Sequence, residues 1–274
     1  MHVLFLIFEL LLPIAYGITI WMYGKAFFSG VKIAERLKSP SLMVTLCLHA
    51  IYILFRTIVL GHFPITSLFE ILTLITFTIT MVYAYLELRL KNTTTGYFIL
   101  ILPFFFQIFS SVFIKENTTV PVILQSNLLG IHVSSALFGF SALAISAVYG
   151  FLYLMLYHNI KSSQFGVIYN RLPNLEALQR MSYTSIWIGF TLLTVAIILG
   201  LMLLSTVFQF SFLTDPKLFG TIATWLLYAF GLSAKRVFGW SGRKMMVLSI
   251  VGFAIALFSM TVINMLFSGF HNFQ

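Results

Sequence analysis

Eight stretches of this chain stay apolar for 18 residues or more, at approximately 3–24, 41–61, 66–88, 97–114, 128–157, 184–212, 217–234 and 246–269. A helix crosses a bilayer with about 20 such residues. Lipid offers the backbone no hydrogen bonds, so a spanning segment of this length must be a helix that satisfies its own N–H and C=O groups. The pattern therefore predicts an all-α fold, a polytopic transmembrane helical bundle of about eight spans. Charged residues are only 8% of the chain and hydrophobic ones 60%, against roughly 25% charged in soluble domains. The connections are short except 158–183, and even that loop is too small for a core of its own. The whole chain, 1–274, reads as one integral membrane domain. Its first apolar segment is too long for a signal-peptide core and no small-residue cleavage site follows, so it reads as a retained span.

Basic residues give the orientation. Lys25, Lys32, Arg36 and Lys38 follow the first span, Arg89 and Lys91 the third, Lys161, Arg171 and Arg180 the fifth, and Lys235, Arg236, Arg243 and Lys244 the seventh. The alternate loops hold only Lys115 and Lys217. The positive-inside rule puts the basic loops in the cytoplasm and both termini on the outer side. The formal charge of +9 then belongs to cytoplasmic loops facing a bilayer, with no nucleic-acid partner. The single cysteine, Cys47, excludes an intramolecular disulfide, a CxxC redox pair and a thiolate metal cluster.

In the 158–183 loop, Asn174 is placed to cap a short helix with Leu175 and Leu178 on one face. The segment reads as an interfacial tether between spans five and six, with partner docking as the alternative.

Charge inside a membrane span costs roughly 2.5–3.5 kcal/mol for arginine or aspartate, so Glu9, Arg56 and Glu70 stand out. With the orientation above, all three lie within about two turns of the outer surface. An Arg56–Glu70 pair with Glu9 nearby is the expected neutralisation. Two roles are open to it: fixing helix packing, or facing a cavity where Arg56 meets an anionic group such as a propionate. His49 precedes Arg56 by seven residues and shares its face about two turns deeper. It reads as a hydrogen-bonded packing residue, with ligation as the alternative.

Three histidines fall at the membrane lip. His62 sits in Gly61-His62-Phe63-Pro64, His132 opens span five in Asn127-Leu128-Leu129-Gly130-Ile131-His132-Val133, and His271 closes span eight. Neutral imidazoles from two helices can hold a haem iron between them, which makes His132 and His271 a candidate axial pair. Nothing supplies the close ligand spacing of zinc sites. His2 and His158 read as incidental. Span five also carries Ser135, Gly139, Ala142, Ser146 and Gly150 along one side, which serves close helix packing or leaves room for a flat macrocycle. No serine–histidine–acid set is visible and only seven acidic residues are present, so no covalent chemistry is expected.

Four stretches resemble the CcsA/ResC-like cytochrome c assembly family of haem-handling membrane proteins. Arg56 with Gly61-His62-Phe63-Pro64 and Ser67-Leu68-Phe69-Glu70 resembles that family's early "R…GHFP…(N/S)LYE" region. Gln125-Ser126-Asn127 through Ile131-His132-Val133 resembles the segment with its first external haem-ligand histidine. Thr224-Trp225-Leu226-Leu227-Tyr228-Ala229 and Gly239-Trp240-Ser241-Gly242-Arg243-Lys244 are similar to its penultimate helix and basic loop. Asn264 with Ser268-Gly269-Phe270-His271 resembles the closing "N…SGLHSY" that holds the second histidine. The resemblance implies haem b at the outer face of the bacterial cytoplasmic (inner) membrane. His132 and His271 would be the axial ligands, with Arg56, His62 and Glu70 near the pocket. The implied partners are other cytochrome c assembly membrane proteins or the apocytochrome, within the lipid bilayer.

The tryptophan-rich external loop of that family, "WG…WWxWDPKETW", is here reduced to FQFSFLTDPKLF from Phe208 to Phe219, with only Asp215-Pro216-Lys217 in common. Phe208, Phe210, Phe212 and Phe219 leave apolar rings in that loop. Ser233 stands at about the place of a transmembrane histidine. These departures are similar to the shorter HemX-like and YpjD-like members, which opens an alternative: a non-enzymatic regulator or scaffold of tetrapyrrole synthesis acting through its cytoplasmic face. A membrane subunit of a transport complex is the third class, although the two halves show no matched pair of broken helices.

Overall fold

The computed structural model describes residues 2–114, 126–207 and 216–266. They are helical almost throughout: α1 His2–Gly24, a π-helical turn Lys25–Ser29, α2 Lys32–Leu60, α3 Leu68–Leu90, α4 Gly96–Phe113, α5 Asn127–Lys161, the short α6 Val167–Arg171, α7 Leu175–Val207, α8 Pro216–Val237 and α9 Arg243–Leu266. Among the described residues seven helices are long and apolar enough to cross a membrane. The eighth expected segment, 246–269, falls largely on α9, a helix of 24 residues.

Two helices start earlier than the apolar runs do. α2 begins at Lys32 and α7 at Leu175, where spans were expected from 41 and 184. The added turns carry Glu35, Arg36, Glu176 and Arg180. Such residues propagate a helix well but fall outside an apolar window. Asn174 does act as a cap, its Oδ1 accepting the Ala177 N–H at 2.8 Å. It caps the long α7, however, and no separate short helix follows it.

The helices sort into two compact units, residues 1–130 with 164–173, and residues 131–163 with 174–274. In the first, α1, α2, α3 and α4 pack as a ring, each against its two neighbours. Its surface is inverted relative to a soluble bundle. On α2, Ile51, Leu54 and Ile58 face outward at 56%, 61% and 70% exposure, while Thr45, His49, Tyr52 and Arg56 point inward and are buried. An apolar exterior around a polar seam suits lipid, because the lipid tails solvate the exterior and each polar group finds its partner inside.

α3 carries the longest part of that seam. Glu70, Thr73, Thr76, Thr80, Tyr83 and Glu87 are all buried and recur at three- and four-residue spacing. At one end of the seam, Glu87 accepts hydrogen bonds from Tyr23 at 2.5 Å and Ser39 at 2.6 Å. Nearer the middle, Thr19 and Thr45 meet at 2.9 Å.

The segment 164–173 closes on the turn after α1. Gly30 has φ +65°, a left-handed conformation open to glycine, and its N–H caps the Ala26 carbonyl. Arg171 donates to the same carbonyl at 3.1 Å. Phe165, Val167 and Tyr169 on this segment are exposed.

In the second unit the small residues of α5 let neighbours come close. A side chain at Gly139 would meet the backbone of Leu193 at 3.1 Å and of Gly189 at 3.3 Å, and one at Gly150 would meet Met246 O at 3.0 Å. Ser146 on α5 bonds Ser182 of α7 at 2.9 Å and Ser249 of α9 at 2.6 Å. These contacts assign the stripe to helix packing within the unit. Trp225 of α8 donates to Thr194 of α7 at 2.8 Å.

Candidate functional site

Between α2 and α3 the chain must reverse within seven residues. Gly61 ends α2 in the left-handed region at φ 72°, its N–H bonding Thr57 O at 3.0 Å. Ser67 starts α3 by accepting the Glu70 N–H at 3.2 Å, the capping pattern of a serine three residues before a glutamate. That Ser-x-x-Glu signal is visible in the sequence and locates the start of α3 as well as any hydropathy window does.

Glu70 then serves three elements at once. One oxygen, Oε1, accepts from Arg56 Nε at 3.1 Å and Nη2 at 3.0 Å. The other, Oε2, accepts from the Thr66 N–H and hydroxyl, both at 2.7 Å. Arg56 Nη1 lies 3.8 Å from Glu9 and donates to the Tyr52 hydroxyl at 3.4 Å, and the Phe5 ring sits 5.3 Å from the guanidinium carbon. Arg56 and Glu70 are each 1% exposed. The expected Arg56–Glu70 pair is thus formed, with Glu9 beside it, and it clamps α1, α2, α3 and the intervening turn together.

The histidines differ in what their ring nitrogens do. His49 is fully buried and uses both: Nδ1 meets Tyr16 OH at 2.9 Å and Nε2 meets Thr73 Oγ1 at 3.0 Å. Proton counting fixes its tautomer. Thr80 donates to the Thr76 carbonyl, so Tyr16 must donate to Thr80. Tyr16 oxygen therefore accepts from Nδ1–H of His49. On the other side of the ring, Thr73 donates to Gln107 Oε1 at 2.9 Å, and Gln107 Nε2 donates to Ser111 at 3.1 Å. With both nitrogens engaged, His49 has no lone pair to give a metal.

His62 is 9% exposed, and its Nδ1 donates to Phe63 O at 3.0 Å. His132, on the second turn of α5, donates from Nδ1 to the Ala196 carbonyl of α7 at 2.8 Å. A carbonyl can only accept, so in the neutral ring the lone pair of His132 is on Nε2. No hydrogen bond of that Nε2 occurs among the described residues, and the ring is partly exposed. The partnering of one nitrogen with a backbone carbonyl, the other left open, is how metal-ligating histidines are held. His62 and His132 share this arrangement; His49 does not.

The structure brings Arg56, Glu70 and Glu9 together in the first unit, with His62 on the adjoining turn. His132 belongs to the second unit. His271 and the stretch Phe208 to Asp215 lie outside the described residues. Among the described residues no three of His, Cys, Asp and Glu come together as a metal-ligand set. Sequence reading missed Ala196 and Gly200, the two α7 residues on which the His132 ring rests. A backbone carbonyl carries no signature in the sequence, and the only hint was a glycine inside an apolar helix.

Comparison with known proteins gives the same answer as the four motifs. The chain is 26% identical to the cytochrome c biogenesis protein CcsA of Trieres chinensis, covering 98% of this chain and 95% of that protein. It is 28% identical to the CcsA of Guillardia theta over 80% of this chain and 79% of that one. With the CcsA of Prochlorococcus marinus (strain NATL2A) it shares 28% identity over 78% and 77% of the two chains. No solved structure matches significantly. The model of the cytochrome C assembly protein family matches residues 36–271, which takes in the Arg56–Glu70 clamp, His62, His132 and His271, and the chain belongs to that family.

Proposed function

We propose that this integral membrane protein acts in the biogenesis of c-type cytochromes by holding haem b at the outer face of the cytoplasmic membrane and presenting it to a partner. His132 and His271 supply the axial imidazoles. The partners are other membrane proteins of the assembly system, or the apocytochrome itself. One observation carries the reading: His132 is held through Nδ1 by the Ala196 carbonyl, with Nε2 open among the described residues, which fits a ring poised to ligate a metal.

His132 and His271 would hold a haem iron through ring nitrogens, and the haem would supply the group handed to the partner. The protein's own groups hold and orient it. His132 would offer Nε2 from the start of α5, and His271 would offer a second nitrogen. Arg56 spends its charge on Glu70, so its part in this reading is to fix the turn that carries His62, and a propionate would reach it only by displacing that pairing. On that turn His62 is held in the same way, Nδ1 donating to Phe63 O at 3.0 Å.

The test is the absorption spectrum of detergent-purified protein, oxidised and reduced, with and without added haem, beside His132→Ala and His271→Ala. A Soret band present in the native protein and lost or shifted in both variants is the expected result. A colourless protein that takes up no added haem overturns the reading and favours the scaffold role in tetrapyrrole synthesis.

A further inference from the structure

We infer that Gly200, with the carbonyl of Ala196, is the seat that aims His132, and that Gly200 is a positioning residue for the haem site. The inference rests on the reading of His132 as an axial ligand. In a helix the carbonyl of residue 196 points toward residue 200, and every Cα–Cβ bond tilts back toward the N-terminus. A side chain at 200 therefore covers the turn that begins at 196. Glycine leaves that turn bare, and the His132 ring lies in the notch. A Cβ built on Gly200 would stand 2.8 Å from Cε1 of His132, 3.3 Å from Nδ1 and 3.7 Å from Nε2.

Two consequences follow. The ring is held on one side by α7 backbone and through Nδ1 by the 2.8 Å bond to Ala196 O, so the direction of Nε2 is set by α7 rather than by the χ angles of His132 alone. A methyl at 200 also meets only the far end of a side chain, which can swing away, and no backbone atom lies within the same distance. Gly200→Ala should therefore leave the helices packed and move the ring.

The experiment titrates haem into full-length protein in detergent and compares native, Gly200→Ala, His132→Gly and the double variant, with and without free imidazole. Gly200→Ala is expected to melt with the native protein, to bind haem about ten- to a hundredfold more weakly, and to show a displaced Soret band. Free imidazole needs no seat on α7, so it should restore the spectrum equally in His132→Gly and in the double variant. Native affinity and spectrum in folded Gly200→Ala overturn the inference. So does rescue of His132→Gly by imidazole that fails in the double variant, because Gly200→Ala would then be damaging the bundle. An unchanged spectrum in His132→Ala removes His132 as a ligand, a failure of the parent reading distinguishable from either.

Discussion

A histidine's usefulness as a ligand is decided by its second nitrogen, and this chain holds both cases. His49 is locked by Tyr16 and Thr73 at 2.9 and 3.0 Å and serves packing. His49→Phe should lower stability in detergent by about 1–3 kcal/mol, the cost of leaving buried partners unsatisfied, while haem binding is retained; loss of haem in a folded His49→Phe protein would overturn this division. The Arg56–Glu70 clamp makes a sharper prediction. Arg56→Met leaves Glu70 buried without its cation and should cost about 3–5 kcal/mol, and adding Glu70→Met to it should recover much of the loss. Denaturation of the single and double variants in mixed micelles measures it. The pair was legible in the sequence because charges in lipid are few and must be neutralised. The aim of His132 was not, since it depends on the register of α7 against α5, set by residues 64 positions away.

At the level of helices, the apolar runs placed the membrane spans because lipid tolerates no other backbone. They missed the first turns of α2 and α7, where charged helix formers extend the helix past the apolar window. The polar face of α3 was readable in principle: Glu70, Thr73, Thr76, Thr80 and Glu87 repeat at helical spacing, and in lipid such a face must turn inward. The small-residue stripe of α5 was noticed, but only the structure shows which helices it admits. Ser146 joins three of them through Ser182 and Ser249. Ser146→Ala should destabilise the protein by about 0.6–1.7 kcal/mol, the range for hydrogen bonds between membrane helices. Gly139→Leu, which drives a side chain into α7 backbone, should cost about 1–3 kcal/mol. Thermal melting in one detergent measures both, and a Gly139→Leu protein that melts with the native one would contradict the backbone contact at Gly139.

For the molecule as a whole, the orientation rests on the asymmetry of lysine and arginine between alternate loops. It predicts that, in a Cys47→Ala background, a cysteine at Ser163 reacts with an impermeant maleimide only after the membrane is opened. One at Asn127 should react in intact cells, and the opposite pattern would invert the topology. The division into two units adds a question of time. The chain leaves the first unit at α5, enters the second, and returns for residues 164–173 before the rest of the second unit is made. Domains form in order of synthesis, N-terminal first, so α1 to α4 can assemble while α5 is still emerging. The bond from Arg171 to Ala26 then forms only after the whole of α5 has been made. That late clasp makes the first unit a record of its own biosynthesis: it is fastened only on chains in which α5, and His132 with it, has already been made.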